Sequence, residues 1–398
     1  MAVLSASTIL ISGAGIAGPA LAFWLHRYGA KPTLVEAAPA PREGGYMMDF
    51  WGVGYDVAER MGLIPQLRRV GYDMTEVRLV GERGKTVGGF DANVVRAAAR
   101  NRFFSIRRGD LARELYRTVE SKVETIFGDS IGTITQNEAD VATSFRHASP
   151  RRFDLVIGAD GLHSTARRLV FGEEEQVEKY LGYYVASFQI ENYPHRDEGA
   201  YVAYTIPGAQ VARYALRHNG TAFLFIWTED THIQIGHHDT KLQKAILRDR
   251  FGKGGWECAT ILDALDSCDD LYFDAVSQIR SDSWSRGRVA LLGDAAYCPS
   301  LLAGQGSVFA MLGAYVLAGE LLHADGDHAS AFHNYEQRLR PFISEKQRAA
   351  TRYGGWFAPR THIGMLARNQ ATRLMSLPWI GSWLMRRMID DRFTLPNY

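Results

Sequence analysis

A glycine-rich turn between a short apolar strand and a helix constrains this chain more than any other feature. The run Thr8–Ser12 is rich in β-formers and leads directly into a Gly-x-Gly-x-x-Gly pattern that begins at Gly13. Helical spacing follows over residues 19–28, and a second strand, Thr33–Glu36, ends on an acid. This order predicts a βαβ unit, and therefore a parallel, buried sheet.

The spacing of the glycines predicts a dinucleotide site. Gly13 permits the tight turn, Gly15 lets a pyrophosphate approach the backbone, and Gly18 lets the helix pack closely on the strand. The phosphates then lie on the N–H groups at the helix start. Glu36 is placed to accept hydrogen bonds from ribose hydroxyls, and its charge opposes a 2′-phosphate, so we expect FAD or NAD here rather than NADP.

A second glycine pattern, Gly52–Gly54, is not flanked by a strand and is not followed by an acid at the right spacing. It predicts only a turn that opens a helix.

The overall composition excludes several other classes. The chain has 398 residues, which fits two or three domains of about 100–200 residues each. Its net charge of +1 gives no general attraction to nucleic acid, and no uninterrupted apolar run approaches the ~20 residues of a membrane span. Cys258, Cys268 and Cys298 form no Cys-x-x-Cys pair, which argues against a disulfide framework and favours the reducing cytoplasm. We predict no metal site, because His237 and His238 are adjacent and would point to opposite faces of a strand.

A change in residue alternation predicts two interleaved domains. Over 75–89, and again over 183–236, apolar and polar residues alternate between turn signals, as is typical of an antiparallel sheet. The predicted fold class is α/β: a Rossmann-type FAD/NAD(P)-binding domain, an inserted antiparallel-sheet substrate domain and a C-terminal helical segment. The predicted boundaries assign 1–72, 101–178 and 274–340 to the nucleotide domain, 73–100 and 179–273 to the substrate domain, and 341–398 to the helical region.

Two later strands end in acidic turns. The apolar run 153–159 leads into Asp160–Gly161, and 288–292 leads into Gly293–Asp294. Carboxylates at the C-terminal ends of parallel strands point into the ligand crevice, although either aspartate is equally suited to cap the next helix. The glycine-rich turn Gly304–Gly306 then opens a helix, which suits an electron-rich ring or developing negative charge.

Together these motifs resemble those of the FAD-dependent group A aromatic hydroxylases. That superfamily shares four motifs with this chain: the glycine pattern with its acid, the run Arg108–Asp110, and the two acidic turns that precede Gly-Gln-Gly. Within it, residues 270–300 are especially similar to the tetracycline destructases. The resemblance spans most of the chain, and it is more specific for the flavoprotein class than for the antibiotic.

The resemblance implies FAD as the bound cofactor and NAD(P)H as a transient reductant. Reduced flavin would react with O2 to give a C4a-(hydro)peroxide, which transfers one oxygen atom to an electron-rich substrate. Asp160 would serve both FAD and the nicotinamide encounter, and the turn at Gln305 would line the isoalloxazine. The positions assigned to FAD are Gly13, Gly15, Ala17, Gly18, Glu36, Ala37, Arg42, Gly45, Arg108, Asp160, Gly293, Asp294, Pro299, Gly304, Gln305 and Gly306.

Two positions depart from the family pattern beside the flavin. Leu301 stands where relatives usually have a second proline, and Val308 stands where they usually have an asparagine. Losing the asparagine removes a polar partner near the ring, and losing the proline loosens the backbone. We expect FAD to bind, but reduction to be poorly coupled to oxygenation.

On the substrate side, Gln189 and Arg213 match, by strand and turn offset, polar groups that meet the substrate in tetracycline-modifying relatives. A solvated sheet face is the alternative for both. Six residues would form an apolar wall, or else simply belong to the core: Tyr46, Met47, Phe223, Phe225, Trp227 and Met311. The apolar, basic stretch 377–387 suits either a membrane surface or, preferably, a helix packed over the substrate domain. In the tetracycline destructases a C-terminal helix helps to close the substrate site, so the resemblance implies that this helix acts as a lid.

The sequence therefore predicts a cytoplasmic NAD(P)H-dependent flavin monooxygenase. Its partners would be O2 and a polycyclic aromatic, phenolic or enolic substrate such as a tetracycline, with no nucleic acid and no membrane, and the protein would be a monomer or weak homodimer. One alternative is a hydroxylase of another aromatic polyketide or a small aromatic compound. A second alternative is a non-catalytic FAD-binding protein.

Overall fold

The computed structural model describes residues 6–41, 44–172, 176–233, 235–236, 239–268, 270–377, 379, 381, 383, 385–386 and 393–398, with backbone only at 352 and 353. The strands are β1 Thr8–Ser12, β2 Lys31–Glu36, β3 Met47–Phe50, β4 Glu76–Val80, β5 Thr86–Asp91, β6 Phe104–Arg107, β7 Glu124–Phe127, β8 Ile131–Gln136, β9 Val141–Phe145, β10 Arg151–Phe153, β11 Leu155–Gly158, β12 Glu178–Glu191, β13 Ala200–Ile206, β14 Ala209–Ala215, β15 Gly220–Thr228, β16 Tyr272–Ile279, β17 Ser285–Arg286 and β18 Val289–Leu291. The helices are α1 Ala17–Arg27, α2 Gly52–Arg60, α3 Ile64–Val70, α4 Asn93–Ala98, α5 Arg108–Arg117, α6 Thr165–Phe171, α7 Thr240–Phe251, α8 Cys258–Asp266, α9 Asp294–Tyr297, α10 Gly306–His323, α11 His328–Phe357 and α12 His362–Met375.

The predicted parallel sheet is confirmed. Its six strands run in the order β17-β18-β11-β1-β2-β7, and only the edge strand β17 is antiparallel to its neighbour. Ser12 pairs with both Val35 and Gly158, so three neighbouring strands end at one level. The carboxyl ends of these strands therefore form a single edge, where ligands bind in α/β sheets.

Helix α10 fills the centre of the nucleotide domain. It packs against α1, α2 and α11 and is buried over most of its length. Among the described residues it is the one helix long and apolar enough to cross a bilayer, but 78% of it is buried inside the fold. A helix that is apolar all round is expected in the core of a large domain.

The second domain is a seven-stranded sheet in the order β16-β12-β15-β14-β13-β4-β5. All of its pairs are antiparallel except β13 with β4. One face carries aromatic side chains that form a core with α7 and α8. The opposite face meets the nucleotide domain, where the Tyr214 hydroxyl accepts a hydrogen bond from the Met47 N–H at 2.7 Å.

Two predicted boundaries fall inside single elements. Strand β16 pairs with β12 along its length, so the sheet continues past the boundary placed at 273. Helix α11 runs through Pro341 and so crosses the boundary placed between 340 and 341. A proline removes one backbone donor from a helix, and here tertiary packing of the long helix outweighs that loss.

Candidate active site

The glycine turn after β1 is shaped by close backbone contacts. Gly13 has φ +104°, and a Cβ atom there would lie 2.5 Å from the carbonyl oxygen of Ala159. A Cβ on Gly18 would overlap the carbonyl oxygen of Gly13. Gly15 differs, because the nearest atom to its Cβ position is a guanidinium nitrogen of Arg108 at 3.9 Å. Two of the glycines therefore serve packing, and the third leaves an open approach to the backbone.

Glu36 holds the end of β2 against this turn. Its carboxylate accepts hydrogen bonds from the N–H groups of Ala14 at 2.8 Å and Ala38 at 2.9 Å. The intervening Ala37 is exposed. The acid is thus fixed beside the glycine turn, where a ribose attached to a bound pyrophosphate would reach it.

Asp160 connects the glycine turn to the next helix. Its carboxylate accepts hydrogen bonds from the hydroxyls of Ser12 and Ser164 and from the N–H of Ala166 at 3.0 Å. Of the two roles weighed for it, helix capping is the one these contacts satisfy. Gly161 beside it has φ +84° and no atom within 4 Å of its Cβ position, so the surface here is open.

Asp294 follows β18 at the carboxyl edge of the parallel sheet. Its Oδ1 is 3.4 Å from the Cβ position of Gly306, the first residue of α10. Burial raises the pKa of Asp294, and the positive charge of Arg108 partly opposes this shift. Gly293, with φ +66°, packs against Ala17 at the start of α1, where a Cβ atom would lie 3.2 Å from that methyl group. Two helix starts and two acidic turns therefore meet around one space.

Arg167 is a structural residue of the site that the sequence analysis did not assign. It is 1% exposed, and its guanidinium donates to the carbonyl oxygens of Ala295 at 3.0 Å and Leu162 at 2.6 Å. It therefore ties the two acidic turns together. The sequence places Arg167 in the helix that follows Asp160–Gly161, but its contacts with the carbonyl oxygens depend on the tertiary fold.

The turn before α10 combines strain with an open glycine. Ser300 has φ +123°, which is rare for a residue with a side chain, and its hydroxyl accepts from the Leu302 N–H at 3.2 Å. The Pro299 carbonyl accepts from Gln278 at 2.8 Å, which anchors the turn to β16. Gly304 has φ +64° and no atom within 4 Å of its Cβ position, and the buried Gln305 follows it.

Gln189 joins the two domains beside this space. Its Nε2 donates to the Gly45 carbonyl at 3.1 Å, and its Oε1 accepts from Arg107 at 3.0 Å. Arg107 in turn forms a two-pronged ion pair with the buried Asp110. This chain of contacts positions the segment at Gly45, which also packs on the side chain of Arg108.

A pair of tyrosines lies between the two domains. The rings of Tyr46 and Tyr272 are 5.6 Å apart, and both side chains are close enough to Arg108 to feel its charge. Burial raises the pKa of Tyr46 to about 12 and holds that of Tyr272 well above its usual range, so both phenols stay neutral near neutral pH. Tyr272 was not predicted as a site residue, because only the pairing of β16 with β12 brings it here.

The structure corrects the expectation for Arg213. Neighbouring residues on a strand point to opposite faces, and Tyr214 faces the nucleotide domain. Arg213 therefore points away from it, and forms ion pairs with Asp197 at 2.8 Å and Glu257 at 2.7 Å. Its guanidinium also lies 5.5 Å from the ring of Trp256. Gln189 and Arg213 are thus not part of one site.

Most of the proposed apolar wall belongs to the core, as the alternative interpretation had it. Phe223, Phe225 and Trp227 are at most 1% exposed and pack under α7 and α8, and Met311 is buried within α10. Met47 lies at the domain interface with Tyr214. Of the six, Tyr46 is the residue that borders the space around Asp294.

The two unusual positions before and within α10 have apolar neighbours. Leu301 packs in a cluster with Tyr272 and Ala358. Val308 is 2% exposed, and a Cβ atom on Gly54 would lie 2.8 Å from its Cγ2. Both replacements therefore fill space between elements rather than leave a gap. Gly54 itself lies in the helix that the Gly52–Gly54 pattern was predicted to open, so that prediction is confirmed.

Three residues considered earlier, Arg42, His237 and His238, lie outside the described residues. Within the described ranges, no group of three His, Cys, Asp or Glu side chains is arranged to hold a metal ion.

We call the space bordered by the glycine turn, the two acidic turns and the start of α10 the flavin cradle. Its residues fit FAD. Three glycines, Gly15, Gly161 and Gly304, border it with open space where a side chain would stand, and these are the points at which a flat or phosphorylated ligand contacts backbone. Glu36 and Asp294 lie at opposite ends of this row. The fold and site define a FAD-dependent enzyme whose cofactor domain is joined to a separate, largely antiparallel sheet.

Comparisons with known proteins agree with this class. The sequence model of the family described as FAD binding domain matches residues 6–349. A flavin-dependent monooxygenase of Legionella longbeachae is 34% identical over 407 residues, covering 98% of each chain. Another, from an unidentified prokaryote, is 37% identical over 87% of this chain and 88% of its own. The solved structure of tetracycline destructase Tet(55) superposes with a TM-score of 0.84 at 32% identity, over 99% of both chains.

This chain therefore belongs to the FAD-binding-domain family of flavin monooxygenases, the aromatic hydroxylase group. It is a flavin-dependent monooxygenase with FAD as its cofactor, and it is structurally close to the tetracycline destructases.

Proposed function

We propose that this monooxygenase uses NAD(P)H and O2 to oxygenate a polycyclic phenolic or enolic substrate, and that a tetracycline is the first acceptor to test. The observation that carries the proposal is the Tyr46–Tyr272 pair, which borders the flavin cradle next to an apolar cluster containing Leu301 and Leu302. Flat aromatic ligands stack on such rings. Similarity to Tet(55) over nearly the whole chain supports the choice of a tetracycline.

The residues around FAD bind and orient it. When bound, FAD accepts a hydride from NAD(P)H and activates O2. Glu36 would hold the adenosine ribose, and Arg108 would lie along the phosphates that approach Gly15. The N–H groups at the start of α10, from Gly306 onward, would favour negative charge on the flavin ring. Asp160 would act indirectly, because its carboxylate is already used to shape the turn at Gly161.

The tyrosines would orient the acceptor. With raised pKa values, Tyr46 and Tyr272 keep their protons, so each can donate a hydrogen bond to a phenolate or enolate oxygen without repelling it. Gln189 would act through the backbone it holds, because its amide is bonded to Gly45 and Arg107. We propose it as a positioning residue for the segment that carries Tyr46.

The test is NADPH or NADH oxidation by the FAD-loaded protein in air, with and without a tetracycline, with product mass read from the same tube. A product heavier by one oxygen atom, roughly 16 mass units, supports the proposal. Oxidation that yields only peroxide, unchanged by the tetracycline, refutes the tetracycline assignment and favours a hydroxylase of another aromatic compound. No oxidation with either nucleotide, with or without an acceptor, refutes NAD(P)H as the reductant.

A pair of variants tests the acceptor site. Tyr272→Phe should lower the product yield per NADPH and raise peroxide release, because it loses the hydroxyl that orients the acceptor. Tyr193→Phe is the matched control, since Tyr193 donates to Glu257 on the far face of the sheet. Equal product yields in the two variants would contradict the role of Tyr272.

We also propose a cytoplasmic protein that is a monomer or weak homodimer and does not bind nucleic acid. Cys258, Cys268 and Cys298 are buried free thiols, as suits a reducing compartment. The proposed domain division keeps 73–100 with the inserted sheet, since β4 and β5 pair there.

A further inference from the structure

Helix α12 buries polar side chains and exposes apolar ones. Its buried side carries Arg368 and Thr372, which are 6% and 2% exposed. Its outer side carries Ile363, Leu366 and Leu374, which are 80%, 63% and 55% exposed. A helix on the surface of a globular domain normally shows the opposite arrangement.

Hydrogen bonds hold the helix in this orientation. The buried Arg368 donates to the hydroxyl of Thr205 at 3.1 Å and to the carbonyl of Phe357 at 3.3 Å. The hydroxyl of Thr372 accepts from the Gly89 N–H at 3.1 Å, which attaches the helix to β5. If the helix rotated to bury its leucines, these polar groups and the charged arginine would lose their hydrogen-bond partners. The outward apolar side is therefore a fixed feature of the fold.

The apolar surface continues along the chain on both sides of α12. Trp379 and Trp383 are 75% and 61% exposed, whereas Met385 on the same segment is buried against Val94. Seven of the nine exposed large apolar side chains among the described residues lie between 356 and 383. We call these seven the tryptophan face: Trp356, Ile363, Leu366, Leu374, Leu377, Trp379 and Trp383.

The charge of this segment indicates what covers the tryptophan face. Between residues 360 and 389 the sequence contains no Asp or Glu, and its charged residues are Arg360, Arg368, Arg373, Arg386 and Arg387. Arg360 pairs with Asp230 and Arg368 is buried, so neither contributes its charge to the face. Arg373 and Arg386 are exposed beside the face. A second copy of the chain would bring the same positive charges together, so self-association is electrostatically disfavoured.

We propose that the tryptophan face docks onto the surface of an anionic phospholipid bilayer. Exposed tryptophans settle at the boundary between headgroups and acyl chains, and arginines beside them pair with anionic headgroups. A basic helix with a strong apolar side lies in that boundary rather than across it. The face also adjoins the site, because Ala358, next to the end of α11, packs with Leu301 and Tyr272. The inference is independent of the substrate proposed above, and it replaces the expectation of no membrane contact.

The test is co-sedimentation of the FAD-loaded full chain with vesicles of phosphatidylcholine alone, or of equal parts phosphatidylcholine and phosphatidylglycerol. We expect binding to the mixed vesicles, weaker binding to the neutral ones, and loss of the difference when salt is raised several-fold. Trp379→Gln combined with Trp383→Gln should lower the partition constant about tenfold or more. Arg373→Glu should lower it about fivefold or more on the anionic vesicles only.

Matched variants control for general effects. Leu242→Gln changes an apolar side chain that is 41% exposed on α7, and Lys241→Glu reverses an exposed charge beside it. Neither should alter vesicle binding, and all variants should keep wild-type flavin content and thermal midpoint. The proposal is overturned if the wild type stays in the supernatant with every vesicle, or if the tryptophan variants bind as well as Leu242→Gln. A concentration-dependent dimer in sedimentation velocity that the tryptophan variants abolish, without vesicle binding, would assign the face to a second copy instead.

Discussion

Two single-methyl changes in the glycine turn should separate folding from cofactor binding. At Gly13 the positive φ and the contact with Ala159 mean that an added Cβ strains the backbone and pushes β1 from β11. The left-handed conformation alone costs about 1–2 kcal/mol, and the displaced strand adds to it, so Gly13→Ala should lose about 3 kcal/mol or more of unfolding free energy.

Gly15→Ala should behave in the opposite way. Its Cβ meets nothing nearer than 3.9 Å, and Gly15 is not among the glycines with positive φ. Such a change leaves apoprotein stability unchanged or raises it by about 0.4–1 kcal/mol. The methyl group would, however, stand where the FAD pyrophosphate approaches, and would break one or two hydrogen bonds to a charged group. At about 1.5–3 kcal/mol each, the Kd for FAD should rise at least about tenfold.

The assays are urea unfolding of the apoprotein and titration of FAD by quenching of flavin fluorescence. Gly13→Ala should show a lower unfolding midpoint, whereas Gly15→Ala should show a normal midpoint and weak FAD binding. Wild-type FAD affinity in Gly15→Ala, or a loss of apoprotein stability equal to that of Gly13→Ala, would refute the assignment of the open glycine to the pyrophosphate.

Two further predictions concern a buried ion pair and a buried apolar position. Arg213→Met removes the arginine that pairs with Glu257, whereas Asp197 keeps its pair with Arg78. It should cost about 3 kcal/mol in urea unfolding, while product yield per NADPH stays normal; a lower yield at wild-type stability would restore its substrate role. Val308→Asn places an amide against Gly54, which should cost about 1–3 kcal/mol and reduce peroxide release; unchanged peroxide and flavin occupancy would contradict the expected poor coupling.

The local parts of the cofactor site could be predicted from sequence alone. The turn from Gly13 to Gly18, the acid at Glu36 and the glycine start of α10 each depend on neighbours within a few residues or one βαβ unit. Backbone conformation and helix-start chemistry are short-range properties, so spacing is sufficient to reveal them. The departure at Val308 was equally visible in the sequence.

Only the tertiary structure decided which residues face the same space. Arg213 and Tyr214 are adjacent in sequence, yet one is neutralised beside α8 and the other supports the flavin domain, because strand register determines the face. Tyr272 reached the site through long-range strand pairing. In α12 the polar and apolar residues lie on opposite sides of the helix. Which side is buried depends on hydrogen-bond partners on distant elements, such as Thr205 for Arg368. Periodicity specifies that a helix has two sides, and the surrounding hydrogen-bond partners specify which of them meets the solvent.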